Sequence, residues 1–302
     1  MQKRSFKDGK QFAWDATSIE LAQTCLRKYY YNMIRCVKPR HQSVHLLFGG
    51  IYASALQHFY LFRFSGDDID TALSKVVRQA LTDSWDFDAG HPKVFDDPKK
   101  TRSALIRTIV WYVEQFGIES EDGLQTYQLQ SGKPAVELSF TVELTDDILL
   151  CGHLDRVVTM GDHLYVMDQK TTGGTVGTYY FNQFSPHNQM SGYSFAGQAV
   201  LRAPIRGVII DAAQIAVNFT RFERGITTRS KDQLQEWRES ALDTIDRARH
   251  ASEVDKWPMN AASCGNYGGC PFRPICSSAP QVRENYLKSD FVEHIWDPLV
   301  ER

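Results

Sequence analysis

The chain has 302 residues, 42% of them hydrophobic and 23% charged, with a formal net charge of −2. That length supports a buried core without covalent staples, and the charge balance is wrong for a protein that coats nucleic acid. No apolar run approaches the ~20 residues needed to cross a bilayer, and the basic start at residues 1–7 leads into no apolar stretch, so neither a membrane span nor a secretory signal is expected and the chain reads as cytoplasmic.

Thr17 and Glu20 have the spacing of a capping box, which opens a helix to about Met33. Helices are then expected near 46–64, 69–86 and 98–117. Three strand-like runs follow near 135–144, 148–158 and 163–171, the last two joined as a hairpin through Met160-Gly161-Asp162. A helix near 187–202, a long strand near 206–220 and a helix near 230–252 precede a turn-rich loop and an irregular tail. No repeat or low-complexity linker interrupts this order. One α/β domain over 1–302 is therefore expected, with a helical N-terminal part (about 17–117), an α/β core (about 130–252) and a C-terminal loop (about 260–280).

The chemistry concentrates in the hairpin. Gly152-His153-Leu154-Asp155 is followed by Asp168-Gln169-Lys170 on the next strand. Side chains two apart on a strand share a face, so Asp168 and Lys170 project together and Gln169 points away. Hairpin pairing lets Asp155 lie across from Asp168. Two carboxylates and an ammonium at one sheet edge suit a divalent cation and an attacking water. Asp-x-Lys by itself is common at solvated strand ends; its pairing with a second acid at hairpin spacing is not. Glu137, on the preceding strand, is a lesser candidate ligand, equally well read as a solvated strand acid.

The cysteines form a second pattern. Cys264, Cys270 and Cys276 sit in a loop rich in Gly and Pro, which lets backbone wrap closely around a compact object. Three thiolates need a fourth partner for a four-coordinate site, and Cys25 is the best candidate. Zinc stays open as an alternative, although its sites usually contain a closer cysteine pair. Cys36 and Cys151 read as buried free thiols, and disulfides are not expected.

The G-x-x-D and D-x-K pair resembles the PD-(D/E)XK nuclease core, a restriction-endonuclease-like fold with a central mixed sheet flanked by helices. One N-terminal cysteine and a C-terminal trio bracketing that core resemble the RecB-like iron–sulfur nucleases: AddB-type recombination nucleases, CRISPR-adaptation nucleases and exonuclease V relatives. The resemblance implies a [4Fe–4S] cluster on Cys25, Cys264, Cys270 and Cys276 that staples the chain ends together. It implies Mg²⁺ or Mn²⁺ held by Asp155, Asp168 and the Gln169 carbonyl, with Lys170 acting on the attacking water. His58, on an apolar helical face, would ordinarily be a satisfied core residue; the resemblance makes it a metal ligand that favours Mn²⁺ tolerance. Gln189 and Tyr193, one helical turn apart, match a Q-x-x-x-Y element that contacts DNA and supports the site.

The implied function is metal-dependent cleavage of DNA, as an exonuclease on single-stranded ends, in recombination, repair, replication or CRISPR-adaptation-like processing, with a helicase or recombination protein as partner. The alternative is a non-catalytic, metal-stapled DNA-binding or assembly subunit. Arg27/Lys28, Lys99/Lys100/Arg102 and Arg221/Arg224/Arg229 are candidate phosphate contacts, more ordinarily solvated surface. Tyr29, Tyr30 and Tyr31 are candidates for stacking on bases.

Overall fold

The computed structural model describes residues 4–41, 43–266 and 269–300. In chain order its principal elements are strand β1 (Ala13–Trp14) and helices α1 (Ala16–Thr24), α2 (Val44–Phe64), α3 (Ile69–Asp83) and α4 (Arg102–Phe116). Strands β2 (Val136–Thr145), β3 (Ile148–Met160) and β4 (His163–Thr172) follow, then helices α5 (Thr178–Asn182) and α6 (Asn188–Leu201). Strands β5 (Ile205–Ile215) and β6 (Thr220–Thr227) and helix α7 (Lys231–Glu253) complete the set. The chain divides into two compact units, each gathered from separated stretches. One, the central unit, holds residues 43–138 and 153–229; the other, the terminal unit, holds the described parts of 1–42, 139–152 and 230–301.

In the central unit β4 is flanked by an antiparallel β3 and a parallel β5, and β6 runs antiparallel at the edge. The β3–β4 hairpin turns where the sequence places it, at Gly161 (φ 57°), a left-handed position suited to glycine. The parallel step from β4 to β5 needs a crossover, which α5 and α6 supply. Alternation along β4 sends its side chains to two differently covered faces. Val166 meets α6, where a Cβ on Gly197 would stand 3.2 Å from it. Thr171 faces α2, where a Cβ on Gly49 would stand 3.4 Å from its hydroxyl. On that second side Phe48, Tyr52, Leu56 and Phe59 of α2 form one core cluster with Val76, Leu105, Ile109, Ala213 and Ile215.

The same face carries a buried polar network. Asp211 on β5 accepts from the Tyr112 hydroxyl (2.5 Å) and from Arg224 Nε (3.0 Å), and Arg224 also pairs with Asp122. Arg156 on β3 pairs with Glu119 at 2.5 Å and lies 3.6 Å from the centre of the Tyr60 ring. Burial lowers a charge's tolerance for being alone, so each member depends on its partner.

In the terminal unit α1 is capped by Asp15, whose carboxylate accepts from Ser18 N (2.8 Å) while Ser18 Oγ accepts from Asp15 N (2.9 Å). The expected Thr17/Glu20 box is therefore displaced by two residues. The single helix expected to reach Met33 stops at Cys25, whose backbone is extended (φ −170°, ψ 118°); a short helix (Leu26–Tyr29) and a π-helical turn (Tyr30–Ile34) follow. β1 pairs in parallel with Leu149 and Leu150 of β3. A small core gathers Tyr31, Phe272, Ile275, Leu287 and Phe291. The long strand expected near 206–220 ends at Ile215, and β6 is an additional strand. Among the described residues no helix is long and apolar enough to cross a membrane.

Replacing Asp211 by Ala removes one of the two carboxylates that face the Arg224 guanidinium. Loss of about 3 kcal/mol of unfolding free energy is expected by denaturant titration. Replacing Asp211 and Arg224 together by Leu should cost less than the sum of the single changes; strict additivity would show that the pair is not coupled.

Candidate active site

The site is built where the β3–β4 ladder ends. The antiparallel pairs run from His163↔Met160 to Met167↔Arg156, one step short of Asp168 and Asp155. The next amide on β4, Gln169 N, donates to Asp155 Oδ2 at 3.3 Å. β4 meanwhile stays paired to β5 through Asp168↔Ile210 and Lys170↔Ala212. Arg156 and Met167 share the face that carries the buried network, so Asp155 and Asp168 share the other. Gly152, three residues before Asp155, has φ 151°, and a Cβ there would come within 3.2 Å of the Phe140 ring. Glycine at the head of G-x-x-D is thus a backbone requirement.

Asp168 is 1% exposed, and its Oδ2 stands 2.5 Å from Lys170 Nζ. Lys170 Nζ also donates to Gln189 Oε1 at 3.1 Å, and Gln189 Nε2 donates to the Tyr193 hydroxyl oxygen at 3.0 Å. Gln189 and Tyr193 lie one turn apart on α6, the helix that covers this face, so a single helical stripe reaches the lysine. Burial, joined by the charges of Asp155 and Asp168, holds the Tyr193 phenol well above its usual range. Asp155 is pushed above the ordinary carboxylate range by burial first and by Asp168 second; Lys170 and the Gln169 amide oppose this, and Glu137 adds to it. Glu137 stands on β2 with a left-handed backbone (φ 49°).

The structure therefore brings together Asp155, Asp168, Lys170, Gln189 and Tyr193, with Gln169 contributing its main chain. His58 is elsewhere. It lies on α2, the helix packed against the opposite face, with Nδ1 2.8 Å from the Ser54 carbonyl and its ring 6.1 Å from Phe62. Among the described residues no three His, Cys, Asp or Glu side chains converge closely enough to hold a metal ion. The expected His58–Asp155–Asp168 ligand set is accordingly not formed. Two carboxylates and a main-chain carbonyl are left, and they fit a hard cation with oxygen ligands. One orphaned atom supports that fit: Asp168 Oδ2 is buried and accepts no hydrogen bond of good geometry despite its ion pair.

The four candidate cluster cysteines all lie in the terminal unit and are half-buried. Asn260 N donates to Cys25 Sγ at 3.3 Å, and Cys270 N donates to the Cys264 carbonyl at 2.9 Å. Burial raises the Cys276 thiol, and Cys270 and Cys25 raise it further while Arg27 opposes them. Cys25, Cys270 and Cys276 are near enough to act on one another electrostatically, but among the described residues no three thiols converge to hold a metal ion. Tyr267 and Gly268, within the same loop, fall outside the described residues. Cys36 and Cys151 are buried.

Other expected contacts are differently employed. Tyr29 and Tyr31 are buried and committed to packing, and the half-buried Tyr30 packs on Tyr31 and Trp257. Arg27 Nε is bound to the Trp257 carbonyl, Arg224 is in the buried network, and Lys100 is 3% exposed. Sequence reasoning also missed that Asp211, Arg224, Arg156 and Glu119 form one polar layer beneath the site. The alternation of Asp211 with apolar neighbours on a strand was the available signal.

A sequence profile of the PD-(D/E)XK nuclease superfamily matches residues 13–277. Among curated proteins nothing matches. A crystal structure from Eubacterium rectale, of a protein provisionally called an exonuclease, superposes with a TM-score of 0.51 at 10% identity, covering 83% of this chain and 85% of that one. The structure of SSO0001 covers 48% of this chain and 64% of its own at 14% identity, and its TM-score of 0.28 carries no weight.

A carboxyl raised in the folded state stabilises the fold fully below its unfolded value, ~4, and loses that contribution as pH rises through its folded value. Asp155 thus penalises the cation-free protein increasingly above about pH 4. A bound divalent cation removes the penalty, so the melting-temperature gain from Mg²⁺ or Mn²⁺ should grow between weakly acidic and weakly alkaline pH. The trend should vanish in Asp155→Asn. A gain independent of pH in the unaltered protein would refute this.

Proposed function

Because the chain belongs to the PD-(D/E)XK nuclease superfamily, we propose that it hydrolyses phosphodiester bonds of DNA from single-stranded ends, with Asp155, Asp168 and Lys170 as the reacting core. The observation that carries this reading is the placement of Lys170 Nζ between Asp168 Oδ2 (2.5 Å) and Gln189 Oε1 (3.1 Å), on the face shared with Asp155. Asp155, Asp168 and the Gln169 carbonyl would hold Mg²⁺ or Mn²⁺, which when bound supplies a Lewis acid and offsets charge on the phosphoryl oxygens. Lys170 is aimed by its two partners so that a remaining N–H can orient the attacking water. Gln189 fixes the lysine through its carbonyl oxygen while its amide group is fixed by Tyr193, which keeps the ammonium from swinging onto one acid alone. Burial of Asp168 strengthens each of these interactions relative to water.

End-directed cutting is the form proposed because of the family resemblance in the cysteine pattern and the likeness to the E. rectale fold. An enzyme of this kind consumes strands already separated, so a helicase or recombination protein is the implied partner. We further propose a structural [4Fe–4S] cluster on Cys25, Cys264, Cys270 and Cys276. The support is chemical: four half-buried thiols in one unit, one of them already accepting a main-chain N–H, the contact that stabilises a sulfur ligand.

Asp168→Ala and Lys170→Ala should each lower cleavage of linear single-stranded DNA by ~10²-fold or more while the circular dichroism spectrum stays unchanged. Undiminished cleavage by both variants would overturn the assignment of the reacting core, and absence of cleavage by the unaltered protein with Mg²⁺ or Mn²⁺ would favour the non-catalytic subunit reading. Anaerobically purified protein should carry about four irons per chain with broad absorption near ~400 nm. Cys25→Ser and Cys276→Ser should both lose the iron, and Cys36→Ser and Cys151→Ser should retain it. Stoichiometric zinc in place of iron, or iron retained after loss of Cys25, would overturn the cluster assignment.

A further inference from the structure

Five residues after β4 leaves the site, the chain forms the short helix α5, whose sequence is Thr178-Tyr179-Tyr180-Phe181-Asn182. Three of its neighbouring aromatic rings have partners. Tyr180 lies 5.4 Å from Phe181 and 5.5 Å from the buried Phe184. Phe181 lies over Gly225 of β6, where any side chain would collide with it. Tyr179 is the exception, at 94% exposed. It exceeds every other large hydrophobic side chain among the described residues.

The segment that carries it is not a loose tether. Lys99 Nζ donates to the Gly173 carbonyl at 2.7 Å, and Val176 N donates to Gln214 Oε1 at 3.0 Å, so the connection from β4 is held from two sides. Lys99 is itself exposed, which puts a cation on the same connection. The helix also reaches the acids electrostatically: after burial, the Asp168 charge is what raises the Tyr180 phenol. An isolated exposed aromatic needs no explanation. This one is held on an anchored support that continues directly from β4, the strand carrying Asp168 and Lys170, and the Lys99 ammonium is tied to the same connection.

We propose that Tyr179 is a stacking platform for a base of the unpaired strand entering the Asp155–Asp168–Lys170 site. Inside a duplex each base face is already covered by its neighbours, so away from a blunt end a protruding phenol ring finds a partner only on an unpaired strand. Lys99 complements the adjoining phosphate. The inference rests on the nuclease reading and names the side chain by which its site would hold an unpaired base.

The test measures binding of a fluorescein-labelled single strand by anisotropy with Mg²⁺ present, in a Lys170→Ala background that leaves both acids in place and the strand uncut. Tyr179→Ala should weaken binding about tenfold or more, and Tyr179→Phe and Tyr179→Trp should restore it. A strand of the same length made of abasic sites should bind weakly and be indifferent to Tyr179→Ala, as should a blunt duplex. The Mg²⁺-induced rise in melting temperature should be the same with and without Tyr179. If the parent binds the single strand and Tyr179→Ala binds it equally well, the platform is wrong and the nuclease reading stands. If the parent binds no nucleic acid and the unaltered protein cuts none, both fall together.

Discussion

Two carboxylates on one partly dry sheet face repel each other, and the architecture around them is what that repulsion demands. Asp155 and Asp168 are placed across the end of a hairpin ladder, so neither can retreat without unpairing a strand. Lys170 answers Asp168, and the Gln169 amide answers Asp155. The amide is available because the β3–β4 pairing stops one step earlier; a continued ladder would have consumed it. The residual excess of negative charge is left on the acids, which is the condition a divalent cation satisfies.

The reverse side of the same strands solves a different problem. Arg156, next to Asp155, and Asp211, opposite Gln169, point away from the acids into a layer of paired charges and tyrosine hydroxyls. Period-two alternation keeps the two polar systems apart although their residues are adjacent in sequence. Helices then sort by face: α6 brings Gln189 and Tyr193 to the acids, and α2 covers the network with Phe48, Tyr52 and Phe59. His58 travels with α2. Its exclusion from the acids follows from which face that helix covers, a fact of tertiary packing.

That difference also marks what was legible in the sequence. The hairpin, the Asp155/Asp168 pairing and the Gln189/Tyr193 stripe each depend on a local period and could be read from spacing. His58 and the three tyrosines could not, because an apolar helical stripe says that a residue is buried without saying against what. β6 was missed because Arg221, Glu223 and Arg224 give Thr220–Thr227 the look of a solvated loop; Arg224 is in fact committed to Asp211 and Asp122. Tyr179 does not stand out in the sequence, for the opposite reason. A run of aromatics reads as core, and only the fold shows that Tyr180 and Phe181 are packed while the ring before them is not.

The break at Cys25 shows how one failed expectation alters another. In a continuous helix Cys25 would project from a regular turn; in its extended conformation it turns its sulfur to the Asn260 amide. The segment bearing that amide is already tied to the break by protein alone. Asn260 Nδ2 donates to the Thr24 carbonyl at 2.9 Å, Arg27 N to the Pro258 carbonyl at 3.1 Å and Arg27 Nε to the Trp257 carbonyl at 2.6 Å. Within the terminal unit the N-terminal helices and the segment after α7 are therefore joined before any cluster is considered. A cluster on these thiols would act mainly on the stretch from Cys264 to Cys270, whose main-chain hydrogen bonds among the described residues are local turns, because Phe272 and Ile275 further on are already packed against Tyr31 and Phe291. Its loss should loosen that loop first and leave the α1–α7 packing in place, a smaller effect than the several kcal/mol expected when a crosslink is the sole closure of a long loop.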